Sequence, residues 1–204
     1  MVCEHFSSTF ANTSGLAIAL GANLPSPAGP PLATLLVVRP LLEELLKALV
    51  AARGASVCWS PLFRTAPVGG PDGQPNYLNA AMLASTAGPP TPAAAMELLT
   101  GLQGLEQRFA RRRHEHWGPR SLDLDLLWWG DLACDDAALQ LPHPRLLERS
   151  FVLAPLAAID AELVPPGQPS GGPALTCQAL LEQLLPQLDV APPLALPGSD
   201  DWSA

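Results

Sequence analysis

Apolar positions along this chain fall into short unbroken runs and into helical spacings, separated by breaks rich in proline and glycine. Residues 15–20 form a continuous apolar run that ends in Gly21-Ala22-Asn23-Leu24-Pro25, the pattern of a buried strand entering a turn. Between 32 and 53, leucines recur at 41, 42, 45, 46 and 49, a helical spacing that Gly54 can terminate. Pro40 marks either a kink or a restart within that helix. Residues 55–63 and 77–86 read as two further strands, joined by a twelve-residue loop over 65–76 that is too rich in proline and glycine to be regular. A connection of that length is more often functional than a tight hairpin.

After Pro89-Pro90, Thr91 can cap a helix over 92–108 with apolar residues at 95, 98, 99, 102, 105 and 109. An arginine-rich stretch over 110–120 follows. From Ser121 to Leu126 the polarity then alternates with the two-residue period of a strand, so Asp123 and Asp125 project from one face. The order β-α-β-β-α-β predicts an α+β domain on the ferredoxin-like split βαβ plan, with an antiparallel sheet, helices on one face and C-terminal additions. Residues 15–187 are read as one domain after a flexible leader over 1–14. The last segment, 188–204, reads as a disordered tail, because eight prolines fall in the forty residues from Pro165.

Composition narrows the function classes. Of the 204 residues, 48% are hydrophobic and only 5% aromatic, which suits a soluble mixed domain, and the net charge of −8 argues against nucleic acid or an anionic membrane as partner. No apolar run approaches the ~20 residues needed to span a bilayer. The four cysteines are scattered with no Cys-x-x-Cys pair, so neither a zinc site nor a disulfide framework is expected, and a reducing compartment fits. No Lys or Arg precedes Arg39, so the basic region of a signal peptide is missing from this sequence and a cytoplasmic location is expected.

Against this acidic background, Arg108, Arg111, Arg112, Arg113 and Arg120 supply five of the eleven Lys and Arg residues immediately before the aspartate pair. Two residues of strand rise separate Cα atoms by about 6.5–7 Å, so the two carboxylates can converge on one hard cation or a close pair. Carboxylates for Mg²⁺ beside guanidinium groups for phosphate are the components of phosphoryl transfer, although alternation alone is equally the pattern of an ordinary half-exposed strand. No P-loop and no Gly-x-Gly-x-x-Gly motif occurs, so side chains and metal would have to hold any nucleotide.

Four blocks in order carry a specific resemblance. They are Ala19-Leu-Gly-Ala-Asn-Leu24; Ser60-Pro-Leu-Phe-Arg-Thr65 with Gln74-Pro-Asn-Tyr-Leu-Asn-Ala80; Trp117-Gly-Pro-Arg-Ser-Leu-Asp-Leu-Asp-Leu-Leu127; and Leu141-Pro-His-Pro-Arg-Leu-Leu-Glu-Arg-Ser-Phe-Val-Leu153. Over residues 16–166 the chain resembles the 6-hydroxymethyl-7,8-dihydropterin pyrophosphokinase family, which moves pyrophosphate from ATP to a pterin alcohol in folate synthesis.

The resemblance implies two Mg²⁺ ions on Asp123 and Asp125, bridging the ATP triphosphate, with Arg120, Arg113 and Arg111 closing over the phosphates. It implies nucleotide contacts from Gln103, Glu106, Trp117, His143 and Arg149. It places the pterin between Tyr77 and Phe151, edge-bound by Asn79 and by backbone near Thr65 and Val68, with Asn23 in the same set. Because histidine gains charge near neutral pH, a pH-dependent contribution of His143 to ATP binding is expected. The sequence departs from the family at Ala110, where glycine is usual and gives the following loop more freedom, and at His116, where arginine is common. The partners implied are ATP and the pterin, with no nucleic acid, no membrane and a monomeric state. Two other classes remain open at this level: another metal-dependent nucleotidyl or phosphoryl transferase, and a non-enzymatic nucleotide or pterin binder.

Overall fold

A computed structural model describes residues 15–49, 57–86, 89–110, 118–200 and 202. In chain order its elements are β1 (Gly15–Ala22), α1 (Pro31–Leu49), β2 (Val57–Trp59), β3 (Phe63–Thr65), β4 (Tyr77–Ser85), α2 (Pro92–Arg108), β5 (Asp123–Trp129), β6 (Cys134–Asp135), β7 (Gln140–Leu141), α3 (Ser150–Ile159), α4 (Cys177–Leu184) and β8 (Leu194–Ala195). The main sheet runs β5-β1-β4-β3-β8, with β2 also paired to β4, and every pairing is antiparallel. This is the split βαβ plan expected from the order of elements. The second strand, however, is interrupted at Ser60-Pro61-Leu62 and becomes β2 and β3.

Side chains on β1, β4 and β5 sort cleanly between two cores. Leu16, Ile18, Leu20, Met82, Leu124 and Leu126 face α1 and α2, which present Leu35, Val38, Leu42, Leu98 and Leu102. Ala17, Ala81, Leu83, Leu127 and Trp128 face the opposite way, onto Val152, Leu153 and Leu156 of α3 and the Cys177 end of α4. The two helices of the split βαβ plan, α1 and α2, thus share one face as expected, and the C-terminal additions α3 and α4 cover the other as a third layer. Burial of both faces is why β1 reads as an unbroken apolar run rather than an alternation.

Strand β5 carries one extra residue. Ile18 pairs with Leu126 and Ala17 with Trp128, so Leu127 is bulged out of the ladder. The bulge shifts the phase of β5, so that Leu127 and Trp128 both enter the second core. Upstream of it, Asp123 and Asp125 lie opposite Gly21 and Ala19.

Helix α1 passes through Pro40 without interruption. Thr91 caps α2, its hydroxyl accepting the Ala94 N–H at 3.2 Å. At the other end of α2, Ala110 adopts φ +60°, the left-handed conformation that ends many helices and that glycine occupies with least strain. No helix among the described residues is long and apolar enough to cross a membrane. Cys58 on β2 is disulfide-bonded, which corrects the expectation, drawn from the scattered spacing of the cysteines, that the chain carries no disulfide and suits a reducing compartment, while Cys134 and Cys177 are free thiols.

The expectation of a disordered tail is also corrected. Leu194–Ala195 adds an edge strand to β3, and Trp202 is buried. Prolines flank this strand at 193 and 197, and an edge tolerates them because one row of its backbone donors faces no partner. The composition that points to disorder is equally the composition of an edge strap with two apolar anchors, Leu196 and Trp202.

Candidate active site

The second face of the sheet is left open at one end, where β1 offers only Ala19 and Gly21 beside the two aspartates. A cavity forms there between β1, β4, β5, the loop after β3 and the N-terminal end of α3. Its walls bring together Asp123, Asp125, Arg120, Arg149, Tyr77, Asn79, Thr65, Val68 and Phe151. These residues come from four separated stretches of sequence, and each was singled out in the sequence.

One wall is ionic. Arg120 Nη1 lies 2.7 Å from Asp123 Oδ2, and Arg149 Nη1 lies 3.0 Å from Asp125 Oδ2. All four side chains are about one-fifth to one-third exposed, so each pair is screened only partly. Burial opposes the charge on Arg120, but Asp123, Tyr77 and Asp125 outweigh it and hold the guanidinium pKa above its ordinary value. The Arg149 guanidinium also lies 5.5 Å from the centre of the Phe151 ring, so it joins the ionic wall to the aromatic one.

The other wall suits a flat polar ring. Asn79 and Thr65 are both buried, and the Asn79 Nδ2 donates to Thr65 Oγ1 at 2.7 Å. This fixes the amide with its oxygen against Gly21, where a Cβ atom would come within 2.6 Å of Asn79 Oδ1. Gly21 therefore lines the cavity from within β1, where the sequence pattern alone suggests the start of a turn; a glycine inside a strand is the signal of close approach. Tyr77 Oη donates to the Gly118 carbonyl at 3.2 Å, and Arg120 Nε donates to the same oxygen at 3.3 Å. Arg145 and Glu148 also line the cavity and were not singled out. Their signal was position alone, within the block that carries His143 and Arg149.

Several expected residues lie elsewhere. Asn23 is buried outside the cavity lining. Its Oδ1 accepts the Arg120 N–H at 2.8 Å, its N–H donates to the Arg120 carbonyl at 3.0 Å, and its Nδ2 donates to the Pro75 carbonyl at 3.0 Å. It therefore clamps the arginine segment to the end of the 65–76 loop instead of touching the cavity. Glu106 is likewise turned inward, its Oε1 accepting the Leu124 N–H at 2.8 Å between the two aspartates. Gln103, one turn earlier on α2, is half-buried and not part of the lining. His143 sits behind the ionic wall, its Nδ1 accepting the Arg145 N–H at 3.1 Å. Burial, then the Arg149 charge, lowers its pKa to about 4. In the ligand-free chain this favours the neutral ring, and because Nδ1 accepts a hydrogen bond, the hydrogen of that neutral ring is on Nε2. Arg111, Arg113 and Trp117 lie outside the described residues.

The carboxylates can take a metal only with help. Among the described residues no cluster of three His, Cys, Asp or Glu side chains forms, so Asp123 and Asp125 are a two-carboxylate set. Mg²⁺ is commonly held in this way, by one or two carboxylates plus substrate phosphates and water.

Comparison with known proteins gives the same direction. The family profile for 7,8-dihydro-6-hydroxymethylpterin-pyrophosphokinase matches residues 17–161. A 2-amino-4-hydroxy-6-hydroxymethyldihydropteridine pyrophosphokinase from Synechocystis is 38% identical over 192 residues, 91% of this chain and 85% of the relative. The enzyme of the same name from Pseudomonas aeruginosa is 36% identical over 146 residues, 72% of this chain and 80% of the relative. A mitochondrial folate synthesis bifunctional protein from Arabidopsis thaliana is 43% identical over 110 residues, 52% of this chain and 19% of that longer protein.

Proposed function

This chain belongs to the 7,8-dihydro-6-hydroxymethylpterin-pyrophosphokinase family, and from that premise we propose how its cavity carries out the reaction. The family transfers a pyrophosphoryl group to hydroxymethyldihydropterin in folate biosynthesis, and the chain is accordingly a diphosphotransferase. What supports the residue assignment is one observation: the Asp–Arg pairs and the Tyr77, Asn79 and Phe151 set share the walls of one cavity.

In this reading ATP is the donor and its phosphates enter the ionic wall. Asp123 and Asp125 would hold Mg²⁺ together with phosphate oxygens. Bound there, Mg²⁺ would supply charge neutralisation and polarisation of the phosphoryl group. Arg120 and Arg149 turn from their carboxylate partners to the phosphates, a bidentate role for which guanidinium is suited. His143 supplies a neutral Nε2–H donor, and Glu106 and Asn23 position the chain around the site without contacting ligand. Arg111, Arg113 and Trp117 are assigned to the nucleotide by their place in the motif, and Gln103 to the nucleoside.

The pterin lies between Tyr77 and Phe151, with its edge on Asn79 and on backbone groups near Thr65 and Val68. Its hydroxymethyl oxygen, held in line, forms a bond to the β-phosphorus and loses its proton. The bond from that phosphorus to the α–β bridging oxygen breaks, and AMP leaves with the electron pair. Closing the cavity over both substrates excludes water as a competing nucleophile. The reading also takes the enzyme as a cytoplasmic monomer, so cell fractionation should place it in the soluble interior and light scattering should give the mass of one chain.

The deciding assay incubates the protein with ATP, Mg²⁺ and 6-hydroxymethyl-7,8-dihydropterin. AMP and the pterin diphosphate ester are expected in equal amounts. Formation of ADP, or no AMP, overturns the assignment.

A further inference from the structure

Segment 194–202 lies beyond the stretch matched by the family profile, 17–161, and contributes nothing to the chemistry above. It is nevertheless attached to the strand that carries the acceptor wall. The break at Ser60-Pro61-Leu62 takes this stretch out of the ladder with β4, which pairs residues 57–59 on one side and 63–65 on the other. Ser60 still reaches β4 through its N–H to the Ala81 carbonyl and its Oγ, which accepts the Ala81 N–H. Its carbonyl and both backbone groups of Leu62 need partners elsewhere, since a buried, unpaired backbone group costs about 1–3 kcal/mol.

All three partners come from 194–202. Trp202 Nε1 donates to the Ser60 carbonyl at 2.8 Å, Ser199 Oγ accepts the Leu62 N–H at 3.0 Å, and the Leu196 N–H donates to the Leu62 carbonyl at 2.8 Å. Leu194–Ala195 then continues along β3, pairing with Arg64 and Phe63. The far end is anchored by an aromatic contact. Trp202 meets Trp59 edge-on at 5.3 Å between ring centres, and the Arg39 guanidinium of α1 lies 5.2 and 5.3 Å from the two rings.

Strand β3 runs directly into the cavity. Its last residue, Thr65, holds the Asn79 amide, and Ala66, Pro67, Val68 and Gly69 follow along the wall. The nucleotide half hangs instead from β5 and the start of α3, on the other side of β1. We propose that 194–202 is a strap that positions β3, and so sets the affinity for the pterin while leaving the nucleotide half alone. The proposal rests on the acceptor pocket assigned above.

The test uses the full chain with Trp202→Ala, Trp202→Phe and Ser199→Ala, reading amide hydrogen exchange over 62–66 alongside KM for each substrate and kcat. Trp202→Ala should speed exchange over 62–66 and raise KM for 6-hydroxymethyl-7,8-dihydropterin about five- to tenfold, with KM for ATP within about twofold. Trp202→Phe keeps a ring but no N–H donor and should fall between wild type and Trp202→Ala. Ser199→Ala removes the acceptor of the Leu62 N–H together with the hydroxyl that donates to the Leu196 carbonyl at 2.7 Å; it should give a smaller shift of the same kind, and it decides the matter if Trp202→Ala does not fold. Unchanged exchange over 62–66 overturns the strap, whatever the kinetics. Faster exchange with an unchanged pterin KM overturns its positioning role, as does an equal rise in both KM values. A wild-type protein that makes no AMP would sink the activity assignment instead, and the exchange result would still decide whether the strap holds β3.

Discussion

Replacing Gly21 by alanine puts a methyl group where the Asn79 amide oxygen now lies. The added Cβ would be 2.6 Å from Asn79 Oδ1, whereas ordinary contact begins near 3.4 Å, so the amide must retreat by about 0.8 Å. The backbone of Gly21 is in the strand ladder, so alanine carries no conformational penalty of its own and the contact is the whole perturbation. Asn79 Nδ2 is 2.7 Å from Thr65 Oγ1, and a displacement of that size takes the pair to the edge of hydrogen-bonding range. Losing a buried neutral hydrogen bond costs ~1–2 kcal/mol, which corresponds to roughly a 5–30-fold fall in kcat/KM for the pterin. KM for ATP should stay within twofold. The clash needs the Asn79 side chain, so Gly21→Ala added to Asn79→Ala should cause almost no further loss. A Gly21→Ala enzyme with wild-type pterin kinetics, or losses that simply add in the double variant, would refute the reasoning.

Asp125→Asn keeps an oxygen for Arg149 but removes the negative charge, and AMP formation should fall at least a hundredfold with the circular dichroism unchanged. Activity within tenfold of wild type, a ~1.4 kcal/mol effect, would mean that Asp125 does not help hold a metal. His143, with its pKa lowered from 6.5 to about 4 in the folded chain, disfavours folding once the unfolded chain begins to protonate. Its contribution is complete above pH 6.5 and is lost as pH falls through about 4. Allowing for a partly solvated ring, the loss is ~1–2 kcal/mol, visible as a shallower pH dependence of urea midpoints in His143→Gln. Equal slopes for the two proteins would remove the claim. Ala110→Gly relieves the left-handed strain after α2 and should stabilise the chain by ~0.5–1 kcal/mol, raising Tm by roughly 1–4 °C; a lower Tm contradicts it.

The features legible in the sequence were those with a local signature. Alternation placed Asp123 and Asp125 on one face, and the four motif blocks supplied Tyr77, Asn79, Arg149 and Phe151, which the fold gathers into one cavity. Features that depend on distant partners were not legible. Asn23 looks like a ligand residue by motif, but its hydrogen bonds go to Pro75 and Arg120, 52 and 97 positions away. Glu106 shares a helical face with Gln103, and helical spacing does not say whether that face meets solvent or the edge of β5. The strap was hidden because its interactions reach from Ser199 and Trp202 back across 137 and 142 residues to Leu62 and Ser60. Prolines at its ends gave a purely local impression of disorder.

The bulge at Leu127 gives β5 two independent halves. Ahead of it, the strand's alternation is set by the need to aim two acids into the cavity. Behind it, the alternation starts afresh, and Trp128 and Trp129 can each sink into a different core without reference to that need. A strand with one uninterrupted phase would tie the two tasks together, and any change in how the indoles pack would swing the acids. Because the extra residue absorbs such changes, the anchoring half can drift among homologues or be redesigned in the laboratory while the reactive half keeps its aim.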